Sequence, residues 1–444
     1  MVRRLVLLFA AMGLVISLMP ARKAFADDFK FSGGFYERLR NEYWKNNKDM
    51  NTQNMDSGDR NFFRFKTSIW GQADYETLAT LYAKLTNEAK SYAYYGGNAK
   101  KGLTGDTDEV VFDNFYLDIK KPADLPVSFR LGRQDLLGMY GENFLIADGT
   151  GSDGSRTFYF NAAKASWTIA PKDTLDVIYL NDPKTDQYMP VIDKNKGDQA
   201  LNLSDETGAI VYLKDTSVKN LNLEPYYIYK HEAADGAGLQ SQTSMINTYG
   251  VFSKYAMAPW TFHVQFAEQT GRYGTNARQA FGGYGFIDYA MPKVVLSPVL
   301  TAGAVYLSGD DKNTNKNEGW DPLFCRYPIW SEIINTAWTG ESGAYYWSNM
   351  AMYRAQAALT LCPKAKLTLI YSILRANELV PASAAYDFSG TGKNRGNLYQ
   401  AKLDFTINKN VCGYILGELF HPGNFYTQDA DNALFVRTQL EFKF

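Results

Sequence analysis

Arginine and lysine at alternating positions are the side chains of this chain with the clearest chemistry to offer. Arg64 and Lys66 stand two apart. Arg130 and Arg133 flank Gly132, with Gln134 next. Arg156 and Lys164 follow, and Arg354, Arg375, Lys402 and Arg437 lie in the C-terminal half. A guanidinium is a fixed fork of donors suited to carboxylates, and rings of Arg or Lys around a passage select anions. Carboxylates are interleaved with these cations: Asp74, Glu109, Asp118, Glu224, Asp404, Glu418 and Glu441. Two readings stand side by side, an anion-selective lining and a network of ion pairs bracing the wall.

Other chemistry finds little support. There are three His (His231, His263, His421) and three Cys (Cys325, Cys362, Cys412), too few for a His-rich metal centre or a disulfide framework. His263 lies near Thr261 and Gln265 with no local serine motif, so a nucleophile–base pair is not indicated. Gly149-x-Gly151-x-x-Gly154 matches a dinucleotide fingerprint in form only, inside a Gly/Ser/Asp loop. Asp311-x-Asn313-x-Asn315 begins like a calcium loop. Lys316 replaces the needed Gly, and Pro322 stands where the bidentate Glu belongs. No catalytic residue, cofactor or metal is expected. With 46 Lys+Arg against 47 Asp+Glu, the chain lacks the basic excess of a nucleic-acid binder.

The charged positions must be held by strands. In Phe63-x-Phe65-x-Thr67-x-Ile69-x-Gly71-x-Ala73-x-Tyr75 the intervening residues are Arg64, Lys66, Ser68, Trp70, Gln72 and Asp74. Ala163-x-Ala165-x-Trp167-x-Ile169, Trp260-x-Phe262-x-Val264-x-Phe266 and Tyr399-x-Ala401-x-Leu403-x-Phe405-x-Ile407 alternate likewise. Period two means strands with unlike faces. Runs of about 10–14 residues exceed the usual soluble strand of about 5–6 and suit a tilted bilayer span of about 9–11. A charge facing lipid at mid-bilayer costs about 2–4 kcal/mol for Arg or Lys, so the cations are predicted to face a lumen.

Residues 1–26 read as a secretory signal, with Arg3 and Arg4, an apolar core from Leu5 to Met19, and Ala24-Phe25-Ala26 before Asp27. Cleavage would remove Arg3, Arg4, Arg22 and Lys23 and no acid, taking the net charge from −1 to about −5. Residues 27–444 then form one domain with about 18 predicted strands. These fall at 29–43, 60–75, 79–92, 109–120, 126–136, 156–170, 173–181, 206–214, 221–231, 244–256, 259–271, 278–290, 294–308, 348–362, 365–377, 397–408, 411–420 and 433–444. Short turns and long loops are expected to alternate strictly, the asymmetry of an outer-membrane barrel with periplasmic turns and extracellular loops. Leu434, Val436, Thr438, Leu440, Phe442 and the terminal Phe444 alternate as in the last strand read by barrel-assembly machinery. The 15% aromatic content suits interfacial girdles. The predicted fold class is all-β, a transmembrane antiparallel β-barrel.

Phe129-Arg130-Leu131-Gly132-Arg133-Gln134-Asp135-Leu136, with Tyr140-Gly141-Glu142 and Gly154-Ser155-Arg156-Thr157-Phe158, resembles the alginate-export family of outer-membrane channels. So does Gly417-Glu418-Leu419-Phe420-His421-Pro422-Gly423-Asn424-Phe425-Tyr426, followed by Phe435-Val436-Arg437-Thr438-Gln439-Leu440. The resemblance implies an 18-stranded monomeric barrel, in agreement with the strand count, and passage of an anionic uronate polysaccharide. It makes Arg130, Arg133 and Arg156 the first candidates for a selectivity region and Arg354, Arg375 and Arg437 the second. Gln134, Arg64, Lys66 and Glu418 complete the predicted lining. The numerous inward acids depart from an Arg-rich lumen.

The expectation is a channel, or porin, for passive diffusion or export of polar, mainly anionic solutes such as uronate oligosaccharides. Its expected surroundings are outer-membrane lipid. The 309–347 loop, with Trp320-Asp321-Pro322-Leu323-Phe324 and Tyr327-Pro328-Ile329-Trp330, is predicted to be an ordered plug. The alternatives are an adhesive or structural barrel and a lipid hydrolase.

Overall fold

The computed structural model describes residues 28–47, 50, 59–95, 102–105, 109–149, 154–156, 159–192, 201–235, 241–335, 347–383 and 387–444. The signal-like segment 1–26 lies outside them. The strands are β1 (Phe29–Lys45), β2 (Arg60–Tyr75), β3 (Ala79–Tyr95), β4 (Gly102–Gly105), β5 (Val110–Lys120), β6 (Val127–Asp135) and β7 (Tyr159–Ala170). They continue with β8 (Asp173–Asp182), β9 (Val191–Ile192), β10 (Glu206–Asp215), β11 (Leu221–Glu232), β12 (Ser244–Met257), β13 (Trp260–Tyr273) and β14 (Asn276–Ala290). The last are β15 (Val299–Leu307), β16 (Met350–Cys362), β17 (Ala365–Arg375), β18 (Asn394–Asn408), β19 (Val411–Pro422) and β20 (Ala433–Lys443).

All pairings are antiparallel, and each long strand bonds to the next long strand. β20 returns to β1, with Leu39 opposite Leu440, and Phe35 and Phe444 exchange two 2.9 Å backbone hydrogen bonds. Among the described residues eighteen strands therefore close a barrel. Closure leaves no unpaired edge, which is the condition for strands to cross a hydrocarbon layer. β4 and β9 are short additions inside loops, pairing with β3 and β5, and no alternation in the sequence marks them.

Side chains obey the period-two reading. Phe63, Phe65 and Ile69 are exposed on the outside, while Arg64, Lys66 and Ser68 between them are buried. On β20, Phe435, Arg437 and Gln439 are buried, and Phe444 just beyond its end is exposed. Strand bounds match the expected ones within a few residues, with one larger difference. β15 starts at Val299 because 291–298 is a turn, closed by hydrogen bonds from Met291 N to Pro298 O and from Val294 N to Met291 O. The loop alternation also has an exception. β13 and β14 are joined on the long-loop side by only Gly274-Thr275, and Gly274 adopts a φ of 58° that glycine tolerates best.

Candidate functional site

Two long loops enter the barrel and pack on inward side chains. The first follows β6. Tyr140 donates to Asp176 on β8 at 2.7 Å, and Gly141 N to Glu224 on β11 at 3.0 Å. At its tip Glu142 meets His263 Nδ1 at 2.6 Å and accepts from Tyr284 at 3.2 Å. The other ring nitrogen of His263 faces Asp288 at 2.9 Å. Both ring nitrogens of His263 thus face carboxylates, and the imidazole is engaged as a clasp between Glu142 and Asp288. Burial opposes ionisation of Glu142. The hydrogen bond from His263 and the charges of His263 and Lys254 outweigh it and hold the carboxyl below the usual carboxylate range.

The second loop joins β15 to β16, and its described part runs from Ser308 to Asn335 and from Trp347. It meets the first loop at Phe324, whose N donates to Leu145 O and whose O accepts from Ala147 N and Asp148 N. Phe144 packs against Tyr284, Trp320 and Trp330 at centroid distances of 5.4, 5.5 and 6.1 Å. Further along, Glu418 on β19 accepts from Ser331 Oγ at 2.6 Å, Glu332 N at 3.1 Å, Ile333 N at 3.0 Å and Gln400 at 2.9 Å. Acid at the start of the short 332–335 helical turn satisfies its orphan amides. Burial pushes the Cys325 thiol up to about 12, so it is a packing residue of this plug.

The wall from β20 through β10 is charged. Arg38 stands opposite Lys66 and Arg40 opposite Arg64, like charges that repel across strands unless acids intervene. Glu88 accepts from Arg64 at 2.7 Å and pairs with Arg38. Glu42 lies 3.2 Å from Arg40, 3.4 Å from Arg64 and 2.8 Å from Arg437, which also pairs with Glu332 of the plug. Lys84 meets Asp113 at 2.8 Å. Arg130 grips Asp118 bidentately at 2.7 and 2.8 Å and lies 4.1 Å over the Tyr116 ring. Lys164 and Lys214 flank Asp176 at 3.9 and 3.4 Å.

The predicted lining residues thus separate into groups. Arg64, Lys66 and Arg437 are buried in the paired block on β1, β2 and β20. Arg133 and Arg156 are also enclosed. Both grip Asp186, at 2.7 and 2.6 Å, and Arg156 holds Glu109 at 2.6 Å. An odd spacing would set Arg130 and Arg133 on opposite faces of a regular strand. Gly132 stands between them with φ 124°, where a Cβ would meet the Phe115 carbonyl at 2.3 Å. Gln134 is fully buried and donates to the carbonyls of Arg130, Gly132 and Ala162, satisfying backbone around that irregularity. Glu418 is a buried anchor of the plug. Among the described residues Arg354 reaches only the Trp330 carbonyl, at 3.5 Å. Arg375 is a correction: it is exposed at the end of β17, in the outward phase of Tyr371 and Ile373. Such a position sits at the rim, where a cation costs little.

Partly exposed cations on the lumen face include Lys84, Arg130, Lys164 and Lys214, with Lys254 on β12 and Lys402 on β18. Sequence reading missed Lys84 and Lys214, although the inward phase of Lys84-x-Thr86-x-Glu88 marks the first. It also missed Arg38, Arg40 and Glu42, whose period-two spacing on β1 carries the same signal. The Glu142–His263 clasp joins residues 121 positions apart and has no local signature.

A closed antiparallel barrel with an apolar outside, a charged lumen and inward loops defines an outer-membrane porin. The alginate-export family model matches residues 38–438, and the chain belongs to that family. No curated protein matches the chain. Among solved structures, OccK5 (OpdH) of Pseudomonas aeruginosa aligns with a TM-score of 0.59 and 12% identity over 95% of this chain and 99% of that one. OpdK of the same organism, solved with vanillate, gives 0.57 and 9% over 93% and 98%. OccK11 (OpdR) gives 0.55 and 10% over 95% and 97%. At these identities the likeness is one of fold.

Proposed function

We propose that this porin passes small or oligomeric anionic solutes passively, with uronate saccharides as the favoured class, and performs no covalent chemistry. The observation that carries the reading is the run of partly exposed cations Lys84, Arg130, Lys164 and Lys214 on β3, β6, β7 and β10. Arg130 is pre-organised by Asp118 and Tyr116 and is the main selectivity residue. Family membership and a fold shared with a structure solved with vanillate, itself a carboxylate, support an anionic solute. The only histidine reaching into the lumen between partners, His263, faces two carboxylates, which supports a non-catalytic role. In this reading the barrel works as a monomer in outer-membrane lipid, delivered by assembly machinery that reads the Phe444 strand.

Reversal potentials in planar bilayers test it. Anion preference should fall in Arg130→Ala and further with Lys164→Ala added. Preference unchanged in the double variant overturns the site, and absence of ion current from folded barrel overturns the channel. Deleting 312–345 should raise conductance; an unchanged value would show that the loop does not obstruct the path.

A further inference from the structure

Three aromatic side chains cross the inner wall in one row. Trp70 on β2 shares the inward phase of Arg64, Lys66 and Ser68, Tyr82 on β3 that of Lys84 and Glu88, and Tyr116 on β5 that of Asp118. Ile69 and Leu81, next to them in the chain, face outward and are exposed. Register sets Tyr82 directly opposite Tyr116. The Trp70 and Tyr82 ring centroids lie 5.9 Å apart at an interplanar angle of 21°, and those of Tyr82 and Tyr116 lie 5.0 Å apart at 17°. Centroids this far apart belong to offset rings, which leave part of each face uncovered. The Arg130 guanidinium, 4.1 Å over the Tyr116 ring, ends the row. Glycines make room at both ends. Gly34 stands opposite Trp70, where a Cβ would come within 2.6 Å of the indole nitrogen, and Gly132 stands opposite Tyr116.

These rings differ from other tyrosines of the lumen. Tyr140, Tyr212 and Tyr284 are buried, and their hydroxyls donate to Asp176, Glu224 and Glu142. Trp70, Tyr82 and Tyr116 are half-buried. Among the described residues the Trp70 Nε1–H and the two hydroxyls have no hydrogen-bond partner, and none of the three atoms is enclosed. A buried Tyr or Trp finds a protein partner for its polar tip, so rings that keep the tip free present both a face and a donor to the lumen. Arg130 gives Nε and Nη2 to Asp118, which leaves Nη1. Lys84, opposite Trp70, is held by Asp113 at 2.8 Å and stays partly exposed.

We propose that Trp70, Tyr82 and Tyr116 form a stacking track for the sugar rings of an oligosaccharide, and that Arg130 at its end takes a carboxylate of the same chain. A pyranose has a face of C–H bonds and a rim of hydroxyls. The C–H face packs on the negative face of an aromatic ring, and the rim accepts from the indole N–H and the tyrosine hydroxyls. The ring spacing is close to the length of one sugar unit, so successive units meet successive rings. Strands of such barrels tilt by about 35–45°, so a row that crosses them climbs the wall and does not circle at one level. An inorganic anion needs none of these rings and a small aromatic carboxylate needs one, whereas a chain of sugars uses the row. The assignment rests on the channel reading above and narrows its solute from an anion to a chain of uronate rings.

Calorimetric titration of the folded barrel in detergent with an oligouronate tests the track without requiring conduction. Trp70→Ala, Tyr82→Ala and Tyr116→Ala should each raise Kd about 2- to 10-fold, and the triple variant should lose measurable binding. Tyr82→Phe, which keeps the ring and loses the donor, should lie between wild type and Tyr82→Ala. A neutral gluco-oligosaccharide of equal length should bind less tightly than the uronate, and Arg130→Ala should remove most of that difference. Heat-dependent gel mobility checks that each variant is folded. In planar bilayers the oligouronate should interrupt the wild-type ion current, with shorter interruptions in the ring variants. A wild type that binds no oligouronate, or ring variants that bind it as wild type does, overturns the track even where the current is anion-selective. Oligouronate binding without any ion current would sink the channel reading and leave the track standing.

Discussion

The two loops that fill the lumen are fastened in different ways. The second loop ends in a buried cage, where Glu418 takes three donors from Ser331, Glu332 and Ile333 and one from Gln400. The first loop ends on Glu142, whose carboxylate remains 38% exposed while it meets His263. A buried acceptor with several donors cannot be exchanged for water without leaving amides unsatisfied, so it fixes geometry. An ion pair open to solvent gains little and is screened, so it can be tuned. The wall therefore carries buried fastenings for both loops, Glu418 for the second and Asp176 and Glu224 for the first, and one adjustable fastening at Glu142, with the loops joined through the aromatic contact at Phe144 and the backbone exchange at Phe324.

The contact at Phe144 is where both fastenings can be broken together. Phe144→Ala removes a fully enclosed ring from between Tyr284, Trp320 and Trp330 and should cost about 3–5 kcal/mol of loop docking. Both loops should become sensitive to limited proteolysis, and conductance should rise more than for any change in a single fastening. Glu418→Ala comes next. It leaves the donors of the second loop unpaired at a cost of about 2–3 kcal/mol. Protease sensitivity should then be confined to the second loop, with Glu418→Gln, which retains an acceptor, intermediate. Equal loosening of both loops in Glu418→Ala would show that they are one unit and dissolve the comparison.

The barrel was legible in the sequence because period two is a strictly local signal, repeated wherever a strand has lipid on one side. Phe63 to Tyr75 and Leu434 to Phe444 show it without ambiguity, and closure follows from the number of such runs and the placing of turns. The lumen was legible only as a face. That Arg64, Lys66 and Arg437 point inward is a matter of phase, but the pairing of Arg64 and Arg437 with Glu42 and Glu88 depends on neighbours 22 to 395 positions away. Arg133 shows a second limit. Its phase relative to Arg130 turns on one glycine in a positive-φ conformation, which composition alone does not announce. Arg375 shows a third, since a strand end carries the same alternation as its middle yet lies where lipid gives way to water. Gln134 bonds backbone carbonyls, Arg156 grips Asp186 and Glu109, and Glu418 caps the second loop, partners that lie too far apart in the chain for a local motif to show.

The adjustable fastening yields the smallest effect and the most specific one. Glu142 has a carboxyl held below its usual range in the folded barrel, so it binds fewer protons there than in a released loop. Its contribution is therefore fully present above the ordinary glutamate value of about 4.3 and is lost as pH falls through the lowered folded value. Exposure discounts that contribution to under about 1 kcal/mol. Acidification toward pH 4 and below should thus loosen the first loop slightly, seen as faster proteolysis near Gly138 to Asn143 by an acid-active protease. Glu142→Gln should give the loosened rate already at neutral pH, and high salt should move the wild type toward it. The second loop should respond to neither. If acid or salt released Ser331 to Ile333 as readily as Glu142, the distinction between a caged and an exposed fastening would fail, because screening would then reach a carboxylate that the barrel wall encloses.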